Sequence, residues 1–217
     1  MKIVIQCAGT KHNCGSFVND KGKEVVFVAQ PTLCEDSEFY SFQKPDDLTS
    51  NGKSWRDKLF DYNLNEYNTN PLNFLKAYEL YRPSAYKKLI DFLGEENVYI
   101  LSAGWGLVRS DYLLPGYDIT FSGSAEKSKR RKQSDKYKDF VFLEEDYSGE
   151  LYFLGGKDYQ KLFVKLTNHI PAKRTLIYNS EKPSSFKGIE TISYKVKQKT
   201  NWHYTCVDSI ITGSFVL

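Results

Sequence analysis

The sequence predicts an α/β fold: a single domain over residues 1–217, with a central mixed, partly parallel sheet flanked by helices. Three observations lead there. Short apolar runs, Ile3–Ala8, Val98–Leu101 and Leu151–Leu154, read as buried strands, and Lys173–Tyr178 reads as another strand. Stretches with apolar residues at helical spacing lie between several of them, the order that builds parallel crossovers. The length of 217 residues suits one sizeable core, and no internal repeat or long linker divides the chain.

In chain order, Ile3–Ala8 is the first strand and Gly9–Gly15 the loop at its carboxyl end. Asn19-Asp-Lys-Gly22 turns the chain into a second strand, Glu24–Ala29. Residues 31–70 are polar and irregular by pattern, broken by Pro31, Pro45 and Asn51-Gly52, with one short helix around Trp55–Leu59. Between Pro71 and Leu93 apolar residues recur at helical spacing; Pro83 makes this two helices or one kinked helix, and Gly94 closes it as a C-cap. Strand Val98–Leu101 then runs into a loop dense in glycine, aromatic and acidic residues, which continues to Ser122. Residues 126–138 carry seven basic residues in thirteen and form either a helix or a mobile loop. Leu151–Leu154, the Gly155-Gly156 turn and Asp158–Leu166 give strand, turn and helix. Lys173–Tyr178 is a further strand, Ile189–Tyr194 a strand or an irregular segment, and Trp202–Ile211 a terminal helix.

Composition narrows the function classes. Thirty basic against 27 acidic residues give a net charge of only +3, so a nucleic-acid partner has to be argued from local clustering. Cys7, Cys14, Cys34 and Cys206 form no CxxC pair, and His12, His169 and His203 lack metal-ligand spacing; neither a disulfide scaffold nor a metal site is expected. Met-Lys-Ile-Val-Ile-Gln-Cys reads as a strand rather than a signal peptide, and no run approaches the ~18 apolar residues of a membrane span. A soluble, cytoplasmic monomer without a cofactor is the expectation.

Ligands of open α/β sheets bind beyond the carboxyl ends of the strands. The loops after Ile3–Ala8 and Val98–Leu101 are expected to share that edge. Gln6, Gly9, Thr10 and Lys11 would then lie near Ser102, Gly104, Trp105, Asp111, Tyr117 and Asp118, combining backbone donors, a cation and carboxylates. That set suits cleavage of an N-glycosidic bond, because a departing base leaves oxocarbenium character that a carboxylate stabilises. Asp118 is the better placed carboxylate and Asp111 the second. Asn201-Trp-His-Tyr204 is a second cluster: Asn201 can read a base edge, Trp202 or Tyr204 can stack on its face, and His203 can protonate a leaving base. Lys129, Arg130, Arg131 and Lys132 are the candidate DNA-phosphate contacts. Each has a structural alternative: a helix cap or turn for Asp111, a packed core position for His203, a solvated face for the basic run. Gly155-Gly156-Lys157 does not make a phosphate-binding P-loop.

Ile5-Gln-Cys-Ala-Gly-Thr-Lys11, Leu101-Ser-Ala-Gly-Trp-Gly-Leu107, Asp111, Pro115-Gly-Tyr-Asp118 and Leu154-Gly-Gly-Lys-Asp-Tyr159 together resemble a group of small α/β domains related to the YaaA-like DNA-binding proteins. The resemblance spans about 150 residues. It implies a mixed α/β core and action on DNA, and it extends to antiviral glycosylases that remove modified bases from phage genomes. The Arg that YaaA proteins carry after Pro-Tyr is Asp118 here, which points away from a peroxide-stress role and toward catalysis. The leading expectation is therefore a DNA glycosylase acting on modified phage DNA. A non-catalytic DNA-binding stress protein and a nucleoside or nucleotide glycosidase or base transferase are the alternatives.

Overall fold

Ile3, Val4 and Ile5 are fully buried in succession, as in a strand covered on both faces, and they sit at the centre of the structure, a computed structural model describing all of residues 1–217. The strands are β1 (Lys2–Gln6), β2 (Glu24–Val28), β3 (Tyr40–Gln43), β4 (Leu75–Lys76), β5 (Val98–Ser102), β6 (Gly106–Arg109), β7 (Leu113–Leu114), β8 (Tyr117–Asp118), β9 (Phe140–Val141), β10 (Glu150–Leu154), β11 (Lys173–Tyr178) and β12 (Ile189–Ser193). The helices are α1 (Trp55–Asn65), α2 (Ala77–Leu80), α3 (Ala85–Leu93), α4 (Lys157–Thr167) and α5 (Trp202–Ile211).

The main sheet has seven strands in the order β12-β11-β10-β1-β5-β6-β9, parallel except where β6 returns antiparallel to β5. A smaller parallel sheet, β3-β2-β8, lies apart from it, and β4 pairs with β7. The α/β class, the mixed and mostly parallel sheet and the flanking helices agree with the sequence reading. Ile189–Ser193 settles as an edge strand. Pro83 does divide two helices, and Gly94 ends the second at φ 84°, its N–H bonded to the Ile90 carbonyl at 2.8 Å.

Residues 31–70 are more ordered than their composition indicates. Strand β3 lies there, and α1 runs six residues beyond the Leu59 end expected for it. Its start is a capping box: the Ser54 hydroxyl accepts from the Asp57 N–H, and the Asp57 carboxylate accepts from the Ser54 N–H, each at 3.1 Å. Trp55, Leu59 and Tyr62 face the core. Asn63 brackets Leu113, donating to its carbonyl at 3.0 Å and accepting from its N–H at 2.8 Å. The basic segment 126–138 is neither an α-helix nor free of structure: Lys127–Lys129 form one 3-10 turn, and Thr120 bridges Arg130. No helix is long and apolar enough to cross a membrane.

Candidate functional site at the carboxyl ends of the central strands

Parallel pairing of Ile3–Gln6 with Val98–Leu101, and of Lys2–Ile5 with Leu151–Leu154, brings the loops after β1, β5 and β10 to one edge. There a cleft of about 570 Å³ opens between the loop after β1 and the small sheet. Lys11, His12, Cys14, Tyr40, Tyr117 and Asp118 are among its walls.

The backbone of Lys11 is held firmly. It bridges Tyr81 as a short antiparallel pair, its carbonyl accepts from the Arg82 guanidinium at 2.8 Å, and the next N–H, of His12, donates to the Leu80 carbonyl at 2.8 Å. Its half-buried ammonium lies 4.2 Å from the centroid of the Tyr117 ring and makes no ion pair. Burial lowers its pKa, against the opposing pull of Cys7, Asp118 and Cys14. Beneath it, the Tyr117 and Tyr81 hydroxyls share a 2.7 Å hydrogen bond, and the Ser102 hydroxyl donates to Tyr117 at 2.9 Å. Desolvation holds both phenols well above their usual pKa, so they remain neutral at physiological pH. Pairing of β8 with Val28 carries Asp118 to the rim, where its exposed carboxylate lies 3.2 Å from the Lys129 ammonium. Burial pushes the Cys14 thiol up, partly offset by the Gly116 N–H and Lys11.

The cleft brings together Gly9, Lys11, Tyr117 and Asp118 of the expected set, with Lys129 at its edge. Thr10 is exposed on the same loop, and its carbonyl accepts from the Arg82 N–H at 3.3 Å. Gln6 serves as a latch: its side-chain oxygen accepts from the Gly156 N–H at 2.6 Å and ties β1 to the turn before α4.

Several expectations are corrected. Asp111 belongs to the opposite edge of the sheet, because β6 runs back along β5, pairs Arg109 with Tyr99, and leaves Asp111 beyond the amino end of β5. There Arg109 grips it through two hydrogen bonds of 2.9 Å. Trp105 is fully buried and packs edge-on against Phe27, ring centroids 5.0 Å apart, so no base can stack on it. Ser102 and Gly104 are buried too; the Ser102 hydroxyl caps the turn by accepting from the N–H groups of Gly104 and Trp105. Arg131 is not a phosphate ligand. It forms two hydrogen bonds with buried Asp139, at 2.8 and 2.6 Å, and donates to the Ala103 carbonyl at 2.8 Å. Arg56 donates to the next two carbonyls, Gly104 and Trp105, each at 2.9 Å. Two buried arginines thus clasp the Ser-Ala-Gly-Trp-Gly turn from within. Arg130 turns its guanidinium onto the Ala125 carbonyl.

The Asn201–Tyr204 cluster lines no part of this cleft. Asn201 is exposed and enters α5 in the left-handed conformation, φ 57°. Trp202 and His203 are buried, and burial lowers the His203 pKa to about 4, leaving a neutral imidazole with its Nε2 unpartnered. Tyr204 alone reaches toward β1: its hydroxyl lies 3.4 Å from that of Tyr86, which donates to the Gln6 carbonyl at 2.7 Å.

His12, Asn13 and Cys14 line the cleft unanticipated, although they follow Lys11 directly in sequence. Tyr40 and Glu24 reach it through the small sheet, whose two-residue pairing with β8 leaves almost no sequence signal. A second, smaller cleft of about 150 Å³ lies between residues 121–135 and α4; Lys132 of the basic segment meets Lys161 and Lys165 there, and none of the three lies in an ion pair. Comparison with known proteins returns no match: neither a family model, a curated protein nor a solved structure matches this chain.

Proposed function

We propose that the chain excises a modified base from DNA by cleaving its N-glycosidic bond in the cleft between the loop after β1 and β8. The observation that carries this reading is the presence of Lys11 and Asp118 in the walls of one cleft of about 570 Å³, together with an exposed aromatic, Tyr40. Only an extruded base fits such chemistry, since the reacting C1′ atom is inaccessible inside a duplex. Tyr40 offers a stacking face, and His12 and Asn13 offer a proton donor and an amide to the base edge. Asp118 faces the sugar, where its charge offsets the developing oxocarbenium ion, and Lys129 fixes its orientation. The motif resemblance supplies modified phage DNA as the substrate class and antiviral defence as the setting.

The test is mass analysis of bases released from a panel of DNAs carrying different modified bases. Wild-type protein releases one base class, and Asp118→Asn lowers the rate by ~10²–10³-fold, the range seen when one charge-stabilising group is lost. Absence of release from every DNA, with Asp118→Asn indistinguishable from wild type, overturns the proposal.

A second reading, a DNA-binding protein without catalysis, is favoured by the three ion-pair-free lysines of the smaller cleft. It requires strong, salt-dependent DNA binding that Asp118→Asn leaves intact, with no base released by either protein.

A further inference from the structure

We infer that Lys11 is a covalent nucleophile whose amine attacks C1′ of the sugar and forms an imine with DNA. This rests on the base-excision reading and goes beyond it, because a carboxylate site needs only water as its nucleophile.

The geometry separates Lys11 from an ordinary phosphate-binding lysine. Its backbone is fixed on both sides by hydrogen bonds to residues 80–82, so the side chain projects from a rigid base into the cleft. No carboxylate lies within ion-pairing distance of the ammonium, whereas the neighbouring Lys129 is paired with both Asp118 and Glu126. The amine rests instead on the Tyr117 ring, an uncharged surface carried on a buried network of hydroxyls. The ring face and the pull of Cys7, Asp118 and Cys14 favour the ammonium, but loss of hydration without an ion-pair partner is the largest influence on this amine and lowers its pKa toward the nucleophilic free form.

The steps balance. The neutral amine donates its lone pair to C1′ as the C1′–base bond breaks, and the base leaves with that electron pair and takes one proton, from His12 or from solvent. The new nitrogen substituent gives up a proton, O4′ takes it as the ring opens, and a protonated imine remains between Lys11 and C1′. Asp118 faces the positive charge present before and after attack. Water then releases the aldehyde, restores the amine and returns the proton, so no oxidant or reductant is consumed.

The experiment uses two probes: an oligonucleotide carrying a preformed abasic site, whose aldehyde accepts the amine directly, and the modified-base DNA panel, each incubated with the full chain and sodium borohydride. Hydride converts the imine to a stable secondary amine, and peptide mass mapping locates it. The expected result is an adduct on Lys11, lost in both Lys11→Ala and Lys11→Arg, the latter keeping the positive charge and hence any phosphate contact. Circular dichroism of the variants matching wild type excludes misfolding as the cause of the loss. Base release without an adduct on either probe, or an adduct that persists in both variants, overturns the inference while leaving base excision intact. An adduct on Lys11 with the abasic probe, without base release from any DNA, upholds the imine chemistry and overturns excision. Neither release nor adduct overturns both.

Discussion

His203 illustrates how burial decides the role of a single residue. Its imidazole sits among Trp202 and Tyr204, with ring centroids 5.9 and 4.1 Å away, and its pKa falls from 6.5 to about 4. Between those values the unfolded chain binds a proton that the folded chain refuses. Stability is therefore full above pH 6.5 and declines as pH drops toward 4, by up to about 3 kcal/mol. Urea midpoints compared between pH 7.5 and 4.5 fall more steeply for wild type than for His203→Gln; equal slopes would show that this imidazole does not titrate on unfolding. Arg131 is the second residue whose type misleads. Its position in a run of four cations reads as a phosphate contact, yet both partners of the Arg131–Asp139 pair are almost fully buried. Arg131→Ala leaves that carboxylate unpaired and lowers unfolding free energy by about 3–5 kcal/mol. A denaturation curve unchanged by the substitution, with weakened DNA binding instead, would restore the phosphate role.

At the scale of elements, legibility follows the strength of the local pattern. Strands β1, β5 and β10 carry near-continuous apolar runs and are readable within two residues, because such runs fit strands buried on both faces; β11 is readable over the same span although only Leu176-Ile177-Tyr178 is apolar. Helix α1 was only partly readable. Trp55, Leu59 and Tyr62 make the inward stripe, but exposed Phe60 and Leu64 blur it, and the Ser54-x-x-Asp57 capping box is brief. Two-residue ladders such as β2 with β8 carry no periodicity at all, and Tyr40 opens the four-residue strand β3 inside a polar segment, so neither the small sheet nor its place beside the cleft has a signature in the sequence. The loop after β1 depends on close backbone approach: a Cβ on Gly15 would lie 1.5 Å from the Leu72 carbonyl oxygen. Gly15→Ala consequently shifts the segment bearing Lys11, costs about 1–3 kcal/mol and lowers base release. Gly9→Ala meets nothing within 4 Å and should remain within about 0.5 kcal/mol of wild type. Thermal melts of the two variants check this pair, and equal melting temperatures would contradict it.

Across the whole molecule, net charge conceals the distribution that matters. The value of +3 is the balance of 30 basic and 27 acidic residues, while Lys132, Lys161 and Lys165, none of them in an ion pair, line one cleft together with Asp135. Lys161 and Lys165 come from α4 and Lys132 from the basic segment, so the cluster exists only after folding. Replacing all three with Ala lowers the slope of log affinity against log salt by up to ~2.7, at 0.9 for each lost phosphate contact. An unchanged slope would remove this cleft from the DNA path. The same folding logic divided the expected site: the shared edge of the β1 and β5 loops was inferable from parallel order, whereas the antiparallel return of β6 carried Asp111 to the far edge. What remains at the near edge is Lys11 opposite Asp118. The central claim is that this carboxylate acts in bond cleavage rather than in holding the loop. Its most direct test is the single-turnover rate of abasic-site formation on modified DNA, measured for wild type and Asp118→Asn at matched DNA occupancy. The account predicts a rate at least ~100-fold lower for the variant with DNA affinity unchanged; equal rates for the two proteins would contradict it.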